Sequence, residues 1–296
     1  MHRTLAALVA LAALLTVPSA VAADPFPVTL QSPAGEVTIR RQPRRIVSLS
    51  PTATETLFAI GAGRQVVAVD DQSDFPRRAP RTRLSGFTPN AEAVAGYRPD
   101  LVIVHFDANR IVASLRRLGI PVLVQPPARD LRHAYAQIRQ LGRATGRRTA
   151  ANALAARLRT RIGRIVAQSR PRARRHSVYH EVSPDLYAAS SRTFVGSIYR
   201  RFGFRNVADA ADTGSGYPKL SSEYLIARNP SLIVLADTVC CGQSRATVAA
   251  RPGWDRIRAV RTGAVVRLHD SLASRWGPRI LNFVQALARA LRTVPR

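Results

Sequence analysis

The sequence has a single lysine, Lys219, and only two cysteines, the neighbours Cys240 and Cys241. Adjacent cysteines cannot staple distant segments, so no disulfide framework holds this fold. Either they close a ring between neighbours, which an oxidising compartment permits, or they are two loop thiols without a role. Acidic residues are scarce as well: 18 against 45 basic ones, a formal charge of +27 over 296 residues. With lysine almost absent, the excess is arginine, scattered through every segment and gathered in no motif. That scatter argues against nucleic acid as a partner, and attraction to anionic lipid headgroups is expected only as a side effect. No apolar run reaches membrane-spanning length, so no stable insertion is expected. No G-x-x-x-x-G-K-[ST] loop is present to cradle a nucleotide phosphate. Ser50-Pro51 and Ser183-Pro184 lack the flanks of a G-x-S-x-G elbow, and a strand-end loop accounts for Asp70-Asp71. No catalytic residue, resident metal or cofactor is expected.

What is present begins at the N-terminus. MHRTLAALVALAALLTVPSAVAAD has Arg3, an apolar run from Leu5 to Thr16, and small residues at Ala20, Ala22 and Ala23. This is the pattern of a secretory signal peptide over 1–23, cleaved near Ala22 or Ala23. No cysteine near that point suggests a lipid anchor, so the expectation is a soluble exported chain, kept near the cell in a periplasm. Removal of Arg3 with the signal leaves a charge of +26.

Beyond it, short apolar strands alternate with helices. Strands are expected at Ile46 to Leu49, Val66 to Val69, Leu101 to Val104 and Pro121 to Val124, uniformly apolar as in a parallel sheet covered on both faces. From Arg147 to about Ser169, Leu154, Leu158, Ile162, Ile165 and Val166 recur at helical spacing, predicting one long helix that ends before Pro171. The pattern then restarts. AEAVAGYRPDLVIV (91–104) and SEYLIARNPSLIVL (222–235) each place a Glu seven residues before a Pro and an apolar strand. Gly86-Phe87 precedes the first copy and Gly216-Tyr217 the second. Two similar α/β lobes, 24–145 and 173–296, joined by a helix and basic connector at 146–172, explain the recurrence.

RRIVSLSPTATETLFAIGAG, QSDFP, GFTPNAEAVAGYRPDLVIV, YPKLSSEYLIARNPSLIVL, RPGWDRIRAVRTGAVVRL and SRWGPRI carry a resemblance. They look like the periplasmic cobalamin-binding proteins of ABC importers, within the wider iron-siderophore, haem and cobalamin binding family. The resemblance covers essentially the whole chain after the signal. It implies the helical-backbone binding-protein fold: two Rossmann-like α/β lobes, one rigid connecting helix, and a ligand in the cleft between. It also implies a corrinoid ligand, most often cobalamin, a permease dimer as partner, and a monomeric binding protein. A ferric siderophore or haem on the same scaffold is the alternative. A metal-dependent exported enzyme and an envelope interaction protein are more distant ones.

Residues at strand ends and before the repeated helices are the candidate ligand contacts: Gln72, Asp74, Phe75, Phe87, Tyr187, Tyr217, Asp270, Arg275 and Trp276. Aromatic faces would pack on an apolar corrin ring, while Asp, Gln and Arg would bond its edge amides and phosphate. Each aromatic could equally be core filler. Gln72, Phe87 and Tyr217 stand where cobalamin-binding relatives often carry larger aromatics, a departure from the pattern. Glu92 and Glu223 near helix N-termini are favourable there in any case. The resemblance implies that one such acid per lobe docks onto arginines of the permease. His105, His180 and His269 fall at strand ends, where they could ligate zinc or haem iron, or be unrelated polar residues.

Overall fold

A computed structural model describes residues 25–295, and the expected signal peptide at 1–23 lies outside the described residues. A short antiparallel hairpin, β1 (Val28–Leu30) and β2 (Val37–Ile39), precedes the first lobe. That lobe runs β3 (Ile46–Leu49), α1 (Pro51–Ala59), β4 (Val66–Val69), α2 (Ala91–Ala95), β5 (Leu101–Val104), α3 (Ile111–Arg117) and β6 (Val122–Val124). Alternate residues explain its layers. Val47, Leu49, Val102, Val104, Val122 and Val124 pack with Val94, Ile111 and Leu115 of α2 and α3. Ile46, Leu101, Ile103 and Leu123 join the other core, which includes Ala53 and Leu57 of α1. Both faces being covered, the strands can be apolar throughout.

Two helices follow. α4 (Leu131–Ala144) was not foreseen, although Leu131, Ala134, Tyr135, Ile138 and Leu141 are buried at helical spacing. Asp130 caps it, its carboxylate accepting the His133 N–H at 2.8 Å. α5 (Arg148–Ala173) is the connecting helix, 26 residues, or about 39 Å. It does not stop before Pro171. The proline lies in the last turn, where one missing donor is cheap, and the ladder resumes with the Arg174 N–H on the Arg170 carbonyl at 3.1 Å. Gly142 lets α4 and α5 cross closely, because a Cβ there would lie 2.3 Å from that of Ala151.

The second lobe runs β7 (Ser177–Glu181), α6 (Phe194–Phe202), β8 (Arg205–Asn206), α7 (Ser222–Arg228), β9 (Leu232–Leu235), α8 (Arg245–Ala249), α9 (Arg258–Arg261) and β10 (Val265–Arg267). α10 (Asp270–Ser274) and α11 (Ile280–Thr293) end the chain's regular structure. All sheet pairings in both lobes are parallel. The orders are β4-β3-β5-β6 and β8-β7-β9-β10, so in each lobe the first strand lies between the second and third. The lobes are topological copies. Their apolar interiors are continuous through Leu154, Leu158, Ile162 and Val166 of α5, so the connecting helix is embedded in the core.

Candidate ligand-binding cleft

In a parallel sheet of this order the chain leaves the first and third strands in opposite directions, opening a crevice at their carboxyl ends. Here those ends belong to β3 and β5 in one lobe and to β7 and β9 in the other. A cavity of about 510 Å³ lies between the lobes, within the usual range for small-molecule sites. Pro127, Ala128 and Arg129 contribute from the first lobe; His180, Arg192, Phe194, Tyr217, Cys240, Asp270 and Trp276 contribute from the second.

The repeated unit sets an aromatic in each lobe; Tyr217 lines the cavity, and Phe87 is not among its lining residues. Gly86 is required because a Cβ would come within 2.7 Å of Asp70 Oδ2; Gly216 is required by a φ of +79°. After each glycine the chain turns on a serine hydroxyl. Ser85 Oγ accepts the Phe87 N–H at 3.2 Å and Ser215 Oγ accepts the Tyr217 N–H at 3.0 Å. The aromatics are thrown outward, Phe87 62% and Tyr217 50% exposed, which is unusual for large apolar rings. Phe87 leans on His105 and Phe106, with centroids 5.6 and 6.3 Å away. Tyr187 is also exposed, with Lys219 Nζ 5.8 Å above its ring.

Beyond a short loop from each aromatic lie the two glutamates, both exposed and both second in their helices. Asn90 caps α2 through the Ala93 N–H at 2.9 Å, and Ser221 caps α7 through the Tyr224 N–H at 3.1 Å. The Glu223 carboxyl is held below its ordinary range by its own backbone N–H and by the Ser221 hydroxyl.

Other candidates are committed to protein. Arg275 Nη1 donates to Glu55 Oε1 at 2.9 Å and to Asp74 Oδ1 at 2.6 Å, and its Nη2 donates to the Gln72 carbonyl at 2.7 Å. Arg279 donates twice to Glu55, at 3.0 and 2.6 Å, and lies 4.4 Å from the centre of the Phe75 ring. Trp276 Nε1 donates to Gln137 Oε1 at 2.8 Å. These contacts tie the segment after β10 to the first lobe. Phe75 therefore sits in a separate surface pocket with Glu55, Phe58 and Arg279. Asp270 accepts the Val239 and Cys240 N–H groups at 2.9 and 2.8 Å, fixing the loop after β9. In that loop Cys240 and Cys241 are disulfide-bonded to each other.

The three histidines do not meet. His105 Nδ1 donates to the Leu49 carbonyl at 3.0 Å, His180 Nδ1 pairs with the Tyr199 hydroxyl at 2.7 Å, and His269 Nδ1 faces the Ser271 hydroxyl at 2.8 Å. Among the described residues no group of three His, Cys, Asp or Glu side chains converges to hold a metal ion. Nor, among them, is any helix long and apolar enough to cross a membrane.

Burial leaves titratable groups with opposite pH responses. His180 is pushed down to about 4 by burial, whereas Asp237 is pushed up to about 7, first by burial and then by the Glu181 carboxylate. For Asp237 the folded state holds a proton that the unfolded chain releases near 4. Its contribution is therefore complete below that value and is lost as pH rises through 7. His180 works the other way, since the unfolded chain takes up its proton near 6.5 and stability falls from there towards pH 4. Asp237→Asn cannot ionise, and its amide can donate to Glu181. The variant should gain on the parent by about 2 kcal/mol between pH 4 and pH 8 in urea unfolding, and a pH-independent difference would refute this.

Residues 46–272 match the periplasmic binding protein family. The chain belongs to that family. A cobalamin-binding protein of Halobacterium salinarum is 32% identical over 280 residues, covering 90% of this chain and 74% of the relative. An uncharacterised ABC transporter substrate-binding lipoprotein of Bacillus subtilis is 30% identical over 276 residues, covering 90% of this chain and 86% of the relative. Among solved structures, a possible iron-binding (periplasmic solute-binding) protein of Staphylococcus epidermidis has a TM-score of 0.73 at 26% identity, covering 84% of this chain and 99% of that one. All three are named as binding proteins, in keeping with a cleft of aromatics, glycines and charged side chains.

Proposed function

We propose that this chain is a solute-binding protein of the periplasm, freed from its signal near Ala22 or Ala23, that captures a corrinoid and passes it to an ABC importer. Cobalamin is the foremost candidate. The observation that carries the reading is the 32% identity to a cobalamin-binding protein across 90% of the chain. The cleft suits such a guest: Tyr217, Trp276 and Phe194 line the cavity, and Phe87 is an exposed ring on the first lobe. Glu92 and Glu223 would each meet one half of a two-fold permease, and the binding protein would act as a monomer.

A second reading keeps the scaffold and changes the guest to haem or a ferric siderophore, supported by the likeness to the possible iron-binding protein. One experiment separates them. The purified chain is mixed with cyanocobalamin, haemin or a ferric siderophore, desalted, and its visible spectrum recorded. Corrinoid absorption in the protein fraction is the expected result. A Soret or charge-transfer band without corrinoid would replace the first reading with the second.

A further inference from the structure

Arginines spaced along the chain are drawn together on three helices. Between Asp130 and Glu181 lie thirteen arginines and no aspartate or glutamate, and this stretch builds α4 and α5. α5 packs against both α4 and α11, and α11 is likewise without an acid. On α5 the buried stripe includes Leu154, Leu158, Ile162 and Val166, while Arg157, Arg161 and Arg164 are exposed. Spacings of four and three set those arginines in one outward row. Two surface grooves border the helix. Arg139 and Arg143 of α4 share one with Arg148 of α5, and Arg172 of α5 shares the other with Arg289 and Arg292 of α11. Neither groove is lined by an acid. Among the described residues no arginine of these helices has a carboxylate within ion-pair distance. Arg143 and Arg172 donate to backbone carbonyls, of Thr29 at 3.1 Å and of Val294 at 2.6 Å.

Like charges so gathered repel one another, and an anionic surface outside the chain relieves that repulsion. The array follows a helix of 26 residues, or about 39 Å, which is too long for one small anion. α5 has no aromatic side chain, so a nucleic acid would find no platform for its bases. A phospholipid leaflet offers phosphates along the whole length, and the guanidinium fork matches phosphate oxygens. We propose that the α4–α5–α11 face is a peripheral docking surface for an anionic phospholipid leaflet. Docking there goes beyond solute binding and does not depend on the guest, so failure of the corrinoid reading leaves it standing. The glutamates assigned to the permease lie on other helices, α2 and α7.

Two variants that lose the same charge test the surface. Arg157→Gln/Arg161→Gln/Arg164→Gln clears the outward row of α5, and Arg83→Gln/Arg116→Gln/Arg117→Gln removes three arginines of the first lobe. All six side chains are exposed, so both variants should melt with the parent. In co-sedimentation the parent should bind vesicles of phosphatidylglycerol and phosphatidylcholine, about one part to three, and ignore phosphatidylcholine alone. Salt at about 0.5 M should release it. The α5 variant should bind the mixed vesicles about tenfold or more weakly, and the first-lobe variant within about threefold of the parent. Equal losses in the two variants would make binding a property of total charge and overturn the surface. A parent that ignores the mixed vesicles, or binds the neutral ones as tightly, overturns it too.

Discussion

Glu92→Arg and Glu223→Arg are each expected to cut delivery of ligand to the importer by about a hundredfold or more while ligand affinity stays within about twofold. Both carboxylates are exposed at the second position of short, side-chain-capped helices. At such exposed positions their interaction with the helix N-terminus is weak and screened by solvent, so reversing the charge should hardly alter folding. The proposed partner contact is different. On a chain of +27, two acids at equivalent points of two lobes are negative marks, and an arginine in their place would set like charges against each other at a permease surface that presents arginines. Transport into vesicles carrying the importer, measured beside equilibrium binding, separates the two effects. Delivery that survives both reversals would remove the docking role from these glutamates.

Glu55→Ala should cost about 3 kcal/mol or more of stability in urea unfolding. The Glu55 side chain is 1% exposed and receives three hydrogen bonds from Arg275 and Arg279, whose side chains are 12% and 19% exposed. Taking away the acid leaves two poorly hydrated guanidinium groups, and that uncompensated charge is the main cost. Arg275 keeps Asp74, and Arg279 keeps the Phe75 ring, so the loss should fall towards the lower end of what a broken buried pair costs. The cluster also couples the lobes, because Glu55 is on α1 while both arginines follow β10. A loss below about 1 kcal/mol would mean that the continuous core, and not this cluster, holds the lobes in register.

Much of this was legible along the chain. The duplicated unit at 91–104 and 222–235 marked the two lobes, and the uniformly apolar strands marked buried parallel sheets, because both signals are local and periodic. α4 is less plain along the chain, its apolar positions masked by three arginines and a histidine on the other faces. Pro171 does not mark the end of α5, since a proline in a last turn removes a single bond. Glu55 had a signal: an acid among small residues in TATETLFAIG cannot be buried without a partner. Its partners lie 220 and 224 positions away, beyond any local pattern.

By itself, the sequence determined the α/β class, the twofold repetition, the long connecting helix and the glycine-aromatic pair ahead of each repeated helix. Periodicity and glycine geometry act over a few residues, so they survive in a linear string. Only the tertiary structure decided which charges are satisfied. Arg275 is bound within the protein because the segment after β10 folds back onto the other lobe. Hydrogen bonding across that distance depends on how the lobes pack, which no spacing along the chain records.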